Sequence, residues 1–322
     1  MRDAILLVAH GSRRESGQGE MFELRDLVAA RLATHTVDLG YLELSQPPAG
    51  DTLDDLVDRG ASRVVIAPLM LHAAGHSKSD VPAIVVEGRM RHPTVDISYA
   101  RPFGVDHALV DLARRRIEHA GGRGAPLALA SRGTSDPEAN GDAWKVARMV
   151  ADMTDARTFG VGFSGVTWPT IPDVLEQLRR LGASTITAFA WFLATGVLVE
   201  RMQAELAAFS EATGVEVIDA GYLGPCGEVA DLVVARVREA ARGRVAMSCD
   251  ACSYRVAYPG QQDRVGQPVG VGHSHLASEH RHRVCDPPPG PAAHHEPAPL
   301  AGPAGGRGRR DGRGSPPGAP GV

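Results

Sequence analysis

The chain has 322 residues, 43% of them hydrophobic, which is long enough to bury the cores of about two ordinary domains. A formal net charge of −4 argues against general nucleic-acid binding, which needs a strongly basic surface. No apolar run reaches the roughly 18–20 residues of a membrane span, and the first one, AILLVA (4–9), leads directly into HGSRRE without a signal-peptide cleavage site. We therefore expect a cytoplasmic protein that binds neither nucleic acid nor a membrane.

The first half of the chain alternates short apolar runs with amphipathic stretches. The runs are rich in Val, Ile and Leu and predict β-strands at 4–9, 36–42, 63–71 and 95–99. The stretches between and after them predict helices at 20–33, 51–60, 82–90 and 107–120. Alternation of this kind predicts a mainly parallel sheet with helices on both faces.

The second half repeats this order, with strands predicted at 127–130, 157–163, 184–192 and 215–219. LVDRGASRVVIAPLMLHAAG (56–75) matches QLRRLGASTITAFAWFLATG (177–196), and the final glycines, Gly75 and Gly196, differ by 121 positions. A second match follows at an offset of about 120. We infer two tandem copies of one α/β unit, with domains at 1–121 and 126–243.

The remainder, 244–322, forms a tail of different composition. Its last part, 286–322, consists largely of Pro, Gly, Ala and Arg, which predicts disorder because it cannot bury a core. Earlier in the tail, Cys249 and Cys252 form CDAC, and several histidines follow. Two thiolates with histidines could bind zinc, cobalt or an iron–sulfur cluster. Flexible low-complexity sequence without a metal is the alternative interpretation.

Three polar residues follow predicted strands of the first half. His10 ends the first strand in AHGSR, Glu43 follows the second in YLELSQPP, and His76 follows the third in LHAAGHSKSDVP. Ligands bind outside the carboxyl ends of parallel strands, so these side chains are expected to converge. Imidazole suits divalent Co, Ni, Fe and Zn, and a carboxylate can ligate or accept a proton. The next helix is expected to have Ser79 or Asp80 as its cap.

A structural histidine or a solvated acid is the plain alternative for each residue taken alone. The repeat offers an internal control, because it aligns His10 with Ser131, Glu43 with about Gly165 and His76 with Val197. The second copy keeps the apolar scaffold but lacks all three residues. Residues required by the fold should occur in both copies, so this pattern favours a site in the first copy.

The quoted motifs resemble those of the class II sirohydrochlorin chelatases in their two-domain form. ASRGTSDPEAN (130–140) and WFLATGVLVERM (191–202) extend the resemblance into the second half, over roughly residues 1–275. The resemblance implies a tandem pair of Rossmann-like, chelatase-type α/β domains. It also implies metal-binding and catalytic roles for His10 and His76, with Glu43 assisting.

By this resemblance the chain would be a sirohydrochlorin cobaltochelatase that inserts Co²⁺ into the tetrapyrrole for cobalamin synthesis. Insertion of Fe²⁺ for siroheme is the closest rival, and Ni²⁺ is a further candidate metal. The absence of GxxxxGK[ST] from the sequence indicates no ATP requirement. A non-catalytic metal-binding or delivery protein, dependent on CDAC and the tail histidines, is the alternative from another class. An α/β hydrolase is disfavoured because GxSxG is missing.

Sirohydrochlorin carries eight carboxylates, which basic side chains could bind. Candidates in or near the strand-end loops are Ser12, Arg13, Lys78 and Arg101, with Arg14 nearby. Arg132, Asp136 and Arg201 occupy equivalent loops of the second half and either face the tetrapyrrole or form structural ion pairs. Since a tandem duplication can replace a homodimer, the chain is predicted to be a monomer with a pseudo-dimeric domain pair.

Overall fold

The computed structural model describes residues 3–243 and 262–265. The strands in the first half are β1 (Asp3–Ala9), β2 (Thr36–Tyr41), β3 (Arg63–Pro68) and β4 (Asp96–Tyr99). The helices there are α1 (Glu15–Arg31), α2 (Ala49–Asp58), α3 (Val81–Arg91) and α4 (His107–His119), and a π-helical turn, His76–Asp80, precedes α3. The second half contains β5 (Leu127–Ser131), α5 (Pro137–Met153), β6 (Phe159–Phe163), α6 (Ile171–Arg180), β7 (Thr185–Ala190), α7 (Val197–Thr213), β8 (Glu216–Tyr222) and α8 (Gly227–Ala241). A short 3₁₀ turn spans Gln262–Arg264.

Each half contains a four-stranded parallel sheet with the same strand order. The order is β2-β1-β3-β4 in the first sheet and β6-β5-β7-β8 in the second. The central strands are buried on both faces, which explains their nearly continuous apolar sequences. The predicted tandem α/β architecture is therefore confirmed.

The alternating side chains of β1 divide between two cores. Ile5 and Leu7 join a large core that also contains residues of α1, α4, α5 and α8, so helices from both halves share one layer between the sheets. Leu6 and Val8 face a second core formed with α2 and α3. An equivalent third core lies beneath α6 and α7. Both halves thus belong to one compact unit.

The loop after β3 differs from the sequence-based expectation. The strand ends at Pro68, earlier than predicted, and the backbone is already helical at His76. The predicted cap of the next helix is wrong, because Asp80 has αR backbone angles and makes no side-chain cap hydrogen bond. A helix that continues out of a π-helical turn has no free amino terminus there for Ser79 or Asp80 to cap.

Strand register corrects the alignment of the two halves by one residue. Ala9 pairs with Tyr41 in the first sheet, and Ser131 pairs with Phe163 in the second. Each residue of the second pair lies 122 positions after its equivalent in the first pair. Gly11 and Gly133, also 122 positions apart, both have positive φ. Ser131 therefore corresponds to Ala9, not to His10. The structural counterpart of His10 is the next residue, Arg132.

Among residues 3–243 and 262–265, no helix combines the length and the apolar character that crossing a membrane requires. The predicted second metal site at Cys249 and Cys252 lies outside the described residues. Cys226, which is described, is a half-buried free thiol.

Candidate metal centre

Sheet topology brings the three candidate ligands to one edge. His10 directly follows β1, Glu43 follows β2 after one intervening residue, and His76 opens the π-helical turn after β3. Strand β1 lies between β2 and β3, so the chain leaves β1 towards one neighbour and later returns to the other. Such a reversal of strand order opens a crevice at the carboxyl ends of the strands. The three loops border this crevice.

The three side chains are close enough to hold one ion. One ligand atom from each of His10, Glu43 and His76 lies within 4.8 Å of the other two. His10 Nε2 lies 3.0 Å from Glu43 Oε1, and the two imidazole centroids are 4.7 Å apart at an interplanar angle of 85°. The three side chains are each 27–30% exposed. Two imidazoles with one carboxylate suit a borderline divalent cation.

His10 is held in the protonation state that ligation requires. Burial lowers its pKa to about 4, the cationic Arg132 and the neighbouring His76 lower it too, and Glu43 opposes them. The imidazole is therefore neutral at pH 7. Its Nε2 is buried and makes no hydrogen bond to any described residue, even though the Glu43 carboxylate is near. A neutral ring with an unused buried nitrogen is a ready metal ligand.

A buried carboxylate orients His76. Its Nδ1 lies 2.5 Å from Asp80 Oδ2, and Asp80 is almost fully buried. If Nδ1–H donates to Asp80, Nε2 is left as the acceptor for a metal, which is the usual arrangement around metal-binding histidines. The role of Asp80 was missed from the sequence, since the i,i+4 contact exists only because this segment is helical.

Gly11 permits close approach of the His10 and Glu43 loops. Glu43 N donates to His10 O at 3.0 Å, and Gly11 has φ of +104°. A Cβ added there would lie 1.7 Å from Glu43 O. Only glycine satisfies both the positive φ and this contact.

Two of the predicted substrate-binding residues lie on the His10 loop. Arg13 is exposed. Ser12 O accepts from Ser45 Oγ, and Ser12 N donates back to the same hydroxyl, both at 3.0 Å. Ser12 thus ties the His10 loop to the loop that carries Glu43.

The other two predicted substrate-binding residues are engaged within the protein. Lys78 is 3% exposed and donates to Asp136 Oδ2 at 2.8 Å and to Glu138 Oε2 at 2.6 Å. Burial alone would lower the Lys78 pKa, but the hydrogen bonds and charges of the two acids outweigh it and raise the pKa. Arg101 is paired with Glu239 of α8 at 2.8 Å. This arrangement does not support a substrate contact for Lys78.

The three candidate residues of the second half make different interactions in the structure. Asp136 caps α5 by accepting from Glu138 N, and it pairs with Lys78. Arg201 donates to Ser164 O within its own half. Arg132 differs from both, because it interacts electrostatically with His10 and Glu43 across the boundary between the halves.

Comparisons with known proteins agree with this architecture. The CbiX family model matches the chain twice, over residues 4–120 and 126–240. The sirohydrochlorin cobaltochelatase of Priestia megaterium is 32% identical over 260 residues, 79% of this chain and 85% of that protein. The sirohydrochlorin ferrochelatase of Bacillus subtilis is 29% identical over 243 residues, 75% and 93% of the two chains. The solved structure of SirB from Bacillus subtilis with Fe³⁺ superposes with a TM-score of 0.67 at 28% identity, covering 76% of this chain and 97% of that one.

Proposed function

Because the chain belongs to the CbiX family, whose relatives here are sirohydrochlorin chelatases, we propose that it is a lyase-class sirohydrochlorin cobaltochelatase. It inserts Co²⁺ into the tetrapyrrole without ATP, in the cytoplasm, as a step of cobalamin synthesis. The observation that carries the proposal is the convergence of His10, Glu43 and His76 at the carboxyl edge of the first sheet.

In this proposal the three side chains hold the incoming ion as a substrate. Neutral imidazoles replace part of its hydration shell and bind it loosely enough for transfer to the pyrrole nitrogens. Formation of the product releases two pyrrole protons for each divalent ion inserted. The Glu43 carboxylate and the imidazoles vacated by the metal are the nearest proton acceptors. Arg13, exposed on the same loop, is the proposed partner for a substrate carboxylate.

Cobalt is the proposed metal because the cobaltochelatase relative matches over 260 residues at 32% identity. The ferrochelatase of Bacillus subtilis is similar at 29% identity, so Fe²⁺ insertion for siroheme is the second candidate. The donor set itself accepts Co²⁺, Fe²⁺ or Ni²⁺.

The decisive experiment mixes the purified full chain with sirohydrochlorin anaerobically and adds Co²⁺ or Fe²⁺ separately. Absorbance reports insertion against an enzyme-free control. We expect acceleration by wild type and its near-complete loss in His10→Ala and His76→Ala. Full activity in His76→Ala would refute the assignment of the site. No acceleration with either metal would refute both the cobaltochelatase and the ferrochelatase proposals.

The metal-delivery alternative predicts the reverse dependence. Removal of residues 261–322 should leave turnover intact at excess metal if the chain is a chelatase. Loss of function on truncation, with His10→Ala active, would favour delivery through the tail. The chain is also proposed to be a monomer. Analytical ultracentrifugation of the full chain should therefore give the molecular mass of a single chain.

A further inference from the structure

We propose that Arg132, at the carboxyl end of β5, binds a carboxylate of the tetrapyrrole substrate. The second half would then hold the substrate while the first half holds the metal. This inference rests on the proposed chelatase function and assigns a substrate contact to that same site.

The position of Arg132 is the first support. Strand register makes it the counterpart of His10, because each residue is the first beyond the central strand of its sheet. Where the first half places a metal ligand, the second half places a cation. A guanidinium repels a divalent ion, so this position cannot serve as half of a second metal site. An anionic ligand is what it can attract.

The state of its side chain is the second support. Throughout residues 3–243, neither an ion-pair partner nor a side-chain hydrogen bond is found for the Arg132 guanidinium, although most of the other arginines discussed above are paired. Arg132 is exposed to solvent, yet the surrounding protein lowers its pKa by desolvation. Its electrostatic interactions with His10 and Glu43 indicate that the guanidinium lies near the metal ligands.

The chemistry of the substrate supplies the missing partner. A macrocycle over His10, Glu43 and His76 carries carboxylates around its rim, and a guanidinium binds a carboxylate through two parallel hydrogen bonds. Bound substrate would also neutralise a positive charge that otherwise disfavours the incoming metal ion. Arg132 thus favours tetrapyrrole binding and, in its free state, weakens metal binding.

These opposite effects define the test. The full-length Arg132→Met variant is compared with wild type in two separate titrations: metal-free sirohydrochlorin, followed by its fluorescence, and Co²⁺ alone, followed by calorimetry. We expect sirohydrochlorin affinity to fall about 10- to 100-fold, as for loss of a charged hydrogen-bonded contact. We expect Co²⁺ affinity to hold or to rise by up to about 10-fold, since a nearby cation is gone.

Two further variants sharpen the comparison. Arg132→Lys keeps the charge but loses the paired hydrogen bonds, so its sirohydrochlorin affinity should lie between the other two. Arg157→Met removes an exposed arginine just before β6, at the opposite edge of the same sheet, and should change neither titration. Raising the ionic strength should reduce the difference in sirohydrochlorin affinity between wild type and Arg132→Met, because salt screens the charge interaction.

The outcomes separate this inference from the proposed function. Equal sirohydrochlorin affinity in wild type and Arg132→Met would overturn the role of Arg132 while leaving the chelatase intact. If Arg132→Met binds both sirohydrochlorin and Co²⁺ more weakly and also has a lower thermal midpoint, Arg132 has a structural role. That result would likewise overturn the proposed substrate contact. If wild type itself binds no sirohydrochlorin, the proposed function fails first.

Discussion

Removing one partner from the buried ion pair between Lys78 and two acids of the second half should destabilise the protein strongly. Lys78 and Asp136 are each 3% exposed, and Glu138 is 14% exposed. We expect Lys78→Met to remove the cation and leave two carboxylates buried without their partner. Breaking a buried pair from one side typically costs about 3–5 kcal/mol. For a folded region of this size, that corresponds to a fall of roughly 6–20 °C in the thermal midpoint.

The fold provides a matched control on its other side. Arg14 is the N-cap position of α1, as Asp136 is of α5, and it pairs at 2.9 Å with Glu200 in the first turn of α7. As in the Lys78 pair, the first half supplies the cation and the second half the anion, but the Arg14 and Glu200 side chains are about half exposed, at 54% and 45%. Breaking it with Glu200→Gln should cost only about 0–1 kcal/mol.

Urea and thermal unfolding followed by circular dichroism will compare the two variants. If Lys78→Met loses no more stability than Glu200→Gln, the argument that burial decides the cost is wrong. A third protein, Lys78→Met/Asp136→Asn/Glu138→Gln, should regain most of the loss, because neutral groups of similar volume often replace a buried ion pair without penalty. Asn at position 136 can still cap α5.

Two further predictions concern the metal centre. Asp80→Asn should weaken Co²⁺ binding about 10- to 100-fold with the fold intact, because the His76 ring loses the carboxylate that orients it; unchanged affinity in calorimetry would contradict this. Gly11→Ala should destabilise the protein by at least about 1–3 kcal/mol and abolish most chelatase activity, because its Cβ would overlap Glu43 O at positive φ. Gly19→Ala, in an open position within α1, is the control and should be neutral or slightly stabilising in the same unfolding assay.

Local sequence determined the α/β repeat and the edge of the sheet at which its polar residues lie. The apolar runs ending before His10 and Glu43 specify strands, and parallel strands present their carboxyl ends at one edge. Tandem similarity then required a second sheet of the same order. These features depend on side-chain periodicity and chain direction, both of which can be read along a single chain.

Docking of the two halves decided what local sequence could not. The sequence suggests that Lys78 is a loop cation available to a substrate. In the fold it is buried, because it pairs with Asp136 and Glu138, which lie about 60 residues further along the chain. The sequence comparison placed Arg132 one residue after the counterpart of His10. The pairing of Ala9 with Tyr41 and of Ser131 with Phe163 shows that Arg132 is the counterpart itself. Whether a charge is paired or available depends on groups brought together by packing. The residues adjacent to Lys78 in the sequence do not indicate that Asp136 and Glu138 will lie beside it.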